Sequence, residues 1–227
     1  TLFRSRGDAD FKTCINPESL TVIREARLEP ALAAAQQGER FQFTEKHSWI
    51  DYLGTGYILG IDGIALIVHP DCPLASLTTK QARKIFQGTL TNWQELGGPD
   101  AKITPYTRSF DSTTRISLDE LLMQGTTVSR QIKEVESAQD MLKKVANDRF
   151  AVGYVSIRYL DESVRAIQLN GVGVSEQTLL LKQYPLTKDM LLAITNDCSA
   201  SAKQFINFVT SGDGQKIIAD NGLLRVR

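Results

Sequence analysis

The sequence predicts an α/β protein, on three observations. Short apolar runs such as IALIV (64–68) alternate along the chain with amphipathic stretches of helical spacing. The boundaries between them carry turn and cap residues rather than long polar tracts. No internal repeat, low-complexity segment or clean linker interrupts the pattern, so any division into lobes must be interwoven along the chain.

Taken in order, 17–37 has the pattern of a helix, with Asn16 as N-cap, Pro17 at the first helical position, Gly38 beyond the end and Pro30 as a kink. The run 64–68 is predicted as a buried strand. In LTTKQARKIFQG, Thr78 is the N-cap of a helix that Gly88 stops. A strand is expected over 102–106. A helix follows with Ile116, Leu118, Leu121 and Leu122 on its apolar face. AQDMLKKVAND (138–148) predicts another helix, FAVGYVSI (150–157) another strand, and 200–222 a closing pair of helices.

Composition excludes several function classes. Lysine plus arginine equals aspartate plus glutamate at 26 each, which argues against a general nucleic-acid binder. No apolar run reaches the roughly 18 residues of a membrane span. The opening TLFR does not have signal-peptide composition, as is also expected of a mature exported protein. Cys14, Cys72 and Cys198 form no CxxC pair, and with only His47 and His69 beside them a structural zinc site is not expected. The cysteines are compatible with one disulfide or with three separate thiols. No cofactor is called for.

TRSFDSTTR (107–115) is the chemically dense stretch. It places Arg108 ahead of the hydroxyls of Ser112, Thr113 and Thr114, between a predicted strand and a predicted helix. The first amides of a helix lack intrahelical partners and sit at the positive end of its dipole. With rotatable hydroxyls and a guanidinium alongside, they suit a tetrahedral oxyanion. The competing reading is a polar cap, with Asp111 as N-cap and Arg115 as a solvated partner. There is no GxSxG elbow and no GxxxxGK[ST] loop, so neither serine-hydrolase nor P-loop chemistry is expected.

Four ordered stretches tip that balance. IDGIALIVHPDCPLASLTTKQARKIFQGTLTNWQELGG (61–98), AVGYVSI (151–157), YPLTKDMLLAI (184–194) and FINFVTSGDGQKIIADNGLLRV (205–226) resemble the phosphate-binding proteins that serve ABC-type phosphate importers. The resemblance spans about 58–226. It implies that Arg108, Ser112 and Thr114 match the family's R…SGT segment, with Thr113 where the family usually carries glycine. A side chain there would alter how closely backbone approaches the anion. The family's opening G-S-x-T turn is missing. RGDADF (6–11) is open to two readings: either its two carboxylates replace that turn, or ADF matches a later ADFG-type segment. In the second reading Asp10 accepts a proton from hydrogen phosphate, which would reject sulfate.

Other residues have plainer readings. Trp93 is read as core and Asp62 as structural at a strand end. His69 is read as a turn residue and His47 as a surface residue. Lys188, where the resembled family often has arginine, is read as a solvated surface lysine or as a source of positive potential near a crossover between lobes. Tyr154 is compatible with facing the ligand or with burial.

The resemblance implies a two-lobe α/β periplasmic-binding-protein fold of type 2, with a ligand cleft between lobes. Lobe one comprises 1–70 and 185–227, and lobe two 71–184. The implied function is non-catalytic binding of phosphate or a related oxyanion, outside the cytoplasmic membrane (periplasmic or extracellular). The protein would be a monomer working with the membrane subunits of an ABC transporter. The alternative is an interaction or sensory module on the same fold with weak or no anion affinity.

Overall fold

The computed structural model describes residues 41–42, 55–194 and 200–226. Its elements run β1 (Phe41–Gln42), β2 (Thr55–Val68), β3 (Ser76–Leu77), α1 (Thr79–Gln87), β4 (Thr104–Arg108), α2 (Thr113–Leu118), β5 (Lys133–Val135) and α3 (Ala138–Ala146). They continue β6 (Ala151–Ser156), β7 (Arg165–Ala166), β8 (Gln168–Leu169), α4 (Glu176–Leu180), β9 (Thr187–Ile194), α5 (Ala200–Thr210) and α6 (Gly212–Asp220). The helix expected over 17–37, Asp10 and His47 lie outside the described residues, as do Cys14 and Cys198. Cys72 is a buried free thiol. No helix among the described residues is long and apolar enough to cross a membrane.

The chain divides into two compact units, of which Asp62–Lys188 is one. Its sheet has the order β7-β2-β6-β4-β5. β2 and β6 run antiparallel from Ile64↔Ser156 to Val68↔Val152, and β7 joins the other edge of β2 at Ile67↔Ala166. β4 lies parallel to β6, with Thr104 opposite Ala151, and parallel to β5, with Arg108 opposite Val135. The chain therefore leaves β4 to form β5 on one side, then crosses back to form β6 on the other. Such a reversal of strand order leaves a crevice at the carboxyl ends of the parallel strands, where open α/β sheets hold ligands.

Local chemistry explains the elements around this sheet. Thr78 caps α1 by accepting from the Gln81 amide, and Gln81 Oε1 accepts from the Thr78 amide at 2.7 Å. Gly88 ends the helix in the left-handed conformation, at φ 74°. All of β6 is buried, as a strand covered on both faces requires. A Cβ on Gly153 would lie 2.5 Å from Met141 Sδ and 3.0 Å from Val145 Cγ2, so α3 packs directly on the backbone of β6. Trp93 is buried with its indole nitrogen donating to Phe150 O at 3.1 Å, which confirms a core role.

α2 departs from the expected pattern. Its regular turns end at Leu118, and Asp119–Met123 continue as a π turn closed by the Gln124 amide on Asp119 O. The extra residue rotates the apolar face: Leu118, Leu122 and Met123 are fully buried, whereas Ile116 and Leu121 are half-buried. Arg83 secures the turn's end by donating to Leu122 O at 2.7 Å and Gln124 Oε1 at 2.6 Å.

The second unit contains the described residues before Asp62 and after Lys188. β1 pairs with the start of β2, and Ile61 pairs with Leu224. The core of this unit gathers Leu59, Leu192, Ala202, Ile206, Val209 and Ile218. Buried Gln215 ties it together: its amide nitrogen donates to Leu59 O and Val209 O, and its oxygen accepts from the Val226 amide.

Candidate functional site

The carboxyl end of β4 delivers Arg108 to the switch point of the sheet, and after four intervening residues the chain enters α2 at Thr113. The Arg108 guanidinium is held by two backbone carbonyls. Nε donates to Val135 O at 3.1 Å and a terminal nitrogen to Glu136 O at 2.7 Å. Both acceptors belong to the neighbouring strand β5 and its continuation. The clamp spends two of the five guanidinium donors on orientation.

Ser112 occupies the N-cap position of α2 with extended backbone, φ −66° and ψ 128°, yet its hydroxyl makes no capping bond. Asp111 does not cap either, since its carboxylate accepts from the Ser109 hydroxyl. The capping reading of this stretch is thereby corrected. Thr78, Ser137 and Ser175 each accept from the N3 amide of their helices. At Ser112 both the hydroxyl and the first helical amides are left for another partner. Thr113 is exposed and Thr114 half-exposed on the same turn.

Arg115 is not solvated. Its side chain is 12% exposed; Nε donates to both Asp119 carboxylate oxygens at 2.9 and 3.0 Å, and a terminal nitrogen donates to Thr107 Oγ1 and Arg108 O, each at 3.2 Å. It is a structural brace behind the loop. The i,i+4 pair with Asp119 neutralises much of its charge within the helix.

Two residues whose place the sequence leaves open join this neighbourhood. Lys188 is half-buried rather than solvated and donates to Ser117 Oγ at 2.7 Å; Ser117 in turn donates to Thr113 O at 2.8 Å. Tyr154 is fully buried, and its hydroxyl accepts the Arg108 amide at 2.9 Å and lies 2.9 Å from Thr107 Oγ1. Burial pushes the Tyr154 phenol above its ordinary value, against the opposing hydrogen bonds from Thr107 and Arg108. The phenol therefore stays protonated at neutral pH. No sequence signal marks Tyr154 as a partner of Arg108, because the contact spans 46 residues.

Asp62 is structural, as expected: buried, with Oδ1 accepting from the Gly63 amide and the Ser156 hydroxyl, both at 2.8 Å. His69 likewise serves its turn, Nδ1 accepting from the Asp71 amide. Among the described residues, no group of three or more His, Cys, Asp or Glu side chains is placed to hold a metal ion. The site's chemistry is donor-rich: a clamped guanidinium, an uncommitted hydroxyl, free helix amides and a nearby ammonium. Such a set stabilises a compact anion with several acceptor oxygens.

The chain is 30% identical over 196 residues to the phosphate-binding protein PstS of Bacillus subtilis, covering 85% of this chain and 65% of that protein. It is 25% identical over 182 residues to PstS of Borreliella burgdorferi, covering 75% and 65%. The chain thus spans 65% of the length of these curated relatives. A crystal structure of an ABC-type phosphate transport receptor from Vibrio cholerae superposes with a TM-score of 0.73 at 26% identity, covering 91% of this chain and 95% of that one. Residues 1–44 match a different family, the anticodon-binding domain of class I tRNA synthetases (E and Q). Residues 54–213, most of the sequence, match the family described as the PBP superfamily domain, and the chain accordingly belongs to the periplasmic-binding-protein (PBP) superfamily.

Proposed function

We propose that the chain binds inorganic phosphate, or a closely related tetrahedral oxyanion, as the solute-binding component of an ABC importer. It acts without catalysis, outside the cytoplasmic membrane, and delivers its ligand to the membrane subunits. The observation that carries this reading is the pairing of a clamped Arg108 with a Ser112 that sits at a helix start without capping it. Arg108 supplies charge and a fork of donors. Ser112 and Thr114 supply hydroxyls, and the amides of Thr113 and Thr114 supply backbone donors. Thr113 stands where the resembled R…SGT pattern has glycine, and its side chain narrows the approach to those amides. The similarity to phosphate-binding proteins and to a phosphate transport receptor supports the same ligand class.

Asp10 lies within the segment that resembles a different family, so the proposal does not rest on it. Its role is read separately: loss of phosphate-over-sulfate preference in Asp10→Asn would assign it the acceptor carboxylate, and an unchanged preference would remove it. The resemblance of 1–44 to an RNA-binding domain does not favour a nucleic-acid function. That segment balances six basic against six acidic residues and has no net charge to attract a phosphate backbone.

The test is equilibrium titration of phosphate-depleted protein with phosphate, sulfate, arsenate and molybdate, alongside Arg108→Ala. Saturable phosphate binding that is lost in the variant is expected. Equal binding by wild type and variant would place the ligand elsewhere.

A further inference from the structure

Behind the anion site lies a hydrogen-bonded group that no site residue explains by itself. The Tyr154 hydroxyl is fully buried between the ends of β6 and β4. It accepts the backbone N–H of Arg108 at 2.9 Å and lies 2.9 Å from Thr107 Oγ1. Thr107 Oγ1 also accepts from Arg115 and donates to Arg108 O at 3.3 Å. Either hydroxyl can donate in the Tyr154–Thr107 bond, while the phenol oxygen accepts from the Arg108 amide. Both backbone polar groups of Arg108 are thus held, the amide by Tyr154 and the carbonyl by Thr107 and Arg115. The ring itself is fixed by an edge-on contact with Phe86, centroids 5.6 Å apart.

We propose that Tyr154 is a positioning residue for anion binding, its buried hydroxyl fixing the Arg108 backbone so that the guanidinium clamp and the loop to Ser112 are set before ligand arrives. The inference rests on the phosphate-binding reading above and deepens it by naming a residue that touches no ligand. Removing the phenol oxygen leaves a buried amide unpaired at the residue that carries the binding charge. The β4 end then relaxes, and the anion must reorder it on binding.

The experiment titrates inorganic phosphate into the full chain and five variants: Tyr154→Phe, Thr107→Val, Arg108→Lys, the Tyr154→Phe/Arg108→Lys double, and Tyr184→Phe. Tyr184 is the control, a second buried phenol whose hydroxyl donates to Ile64 O at 3.1 Å. Tyr154→Phe is expected to weaken phosphate binding about tenfold or more. Thr107→Val should weaken it in the same direction, which keeps the test intact if Tyr154→Phe folds poorly. In the Arg108→Lys background, where the clamp is already lost, Tyr154→Phe should add little, because residues acting through one another are not additive. Tyr184→Phe should lower the unfolding midpoint and leave affinity unchanged. The inference is overturned if Tyr154→Phe binds within twofold of wild type. It is equally overturned if the loss is the same in both backgrounds, or if Tyr184→Phe costs as much affinity. A wild type that binds no phosphate would overturn the functional reading itself, a different result from a wild type that binds and a Tyr154→Phe that binds equally well.

Discussion

The Lys188 ammonium donates to the Ser117 hydroxyl at 2.7 Å, and Ser117 passes the contact to the Thr113 carbonyl one turn earlier, at the start of α2. A positive charge drawn from the first residues of β9 is thereby held against the helix that opens the proposed anion site. Lys188→Met keeps the aliphatic stem and removes the charge. Phosphate affinity should fall about three- to tenfold at low ionic strength, and the deficit should shrink in high salt as screening shortens the range of the ammonium. Titrations at two salt concentrations check this. A loss independent of salt would mean that the lysine acts through packing.

Ser112 and Thr78 occupy the same position in their helices and should respond oppositely to truncation. Thr78 carries a full capping box, so Thr78→Ala should cost about 1 kcal/mol of stability. Ser112 makes no capping bond, so Ser112→Ala should change stability by less than about 0.5 kcal/mol. It should nevertheless weaken phosphate binding. Denaturant unfolding and ligand titration on the same preparations separate the two effects.

Thr113 is exposed on the first turn of α2. Replacing it with glycine opens the backbone amides to closer approach, and Thr113→Gly should tighten phosphate binding. Stability should move by less than about 1 kcal/mol, since the position lies at the helix end. Calorimetric titration measures the gain. Weaker binding in Thr113→Gly would show that the threonine hydroxyl is itself a ligand.

Alkaline pH should destabilise the fold. Burial raises the phenol pKa of Tyr154 and, further, that of Tyr184. Below the ordinary tyrosine value of about 10, both folded and unfolded phenols are protonated and pH has no effect through them. Above it the unfolded chain loses protons that the folded chain keeps, so stability falls with rising pH. Tyr184→Phe should flatten this decline while lowering stability at neutral pH, as urea unfolding at a series of pH values would reveal.

Much of the fold was legible because its signals are local. The Thr78 cap, the Gly88 stop and the apolar runs of β2 and β6 act within a few residues, and each forms as the sequence predicts. That a helix opens within Ser112–Thr114 was legible for the same reason, although the sequence left the N-cap open between Asp111 and Ser112. What was hidden depends on contacts distant in sequence. Lys188 meets Ser117 across 71 residues and Tyr154 meets Arg108 across 46, so neither partner could be assigned from spacing. The π turn at Asp119–Met123 was hidden differently: ordinary helical periodicity fits Leu118 and Leu122, but the extra residue buries Met123 in place of Leu121. The choice between cap and ligand at Ser112 turned on a hydroxyl's partner, which residue type alone does not specify.

Arg108 and the hydroxyls at the start of α2 are proposed to bind phosphate. Thermal unfolding of phosphate-depleted protein, with and without phosphate, beside Arg108→Ala, tests it most directly. Phosphate at about 100 times its dissociation constant adds about 2.7 kcal/mol to a protein that binds it only when folded. For a chain of this size that is a midpoint rise of roughly 5–10 °C. That rise is expected in the wild type and its loss in Arg108→Ala. No rise in the wild type, or the same rise in both proteins, would contradict it.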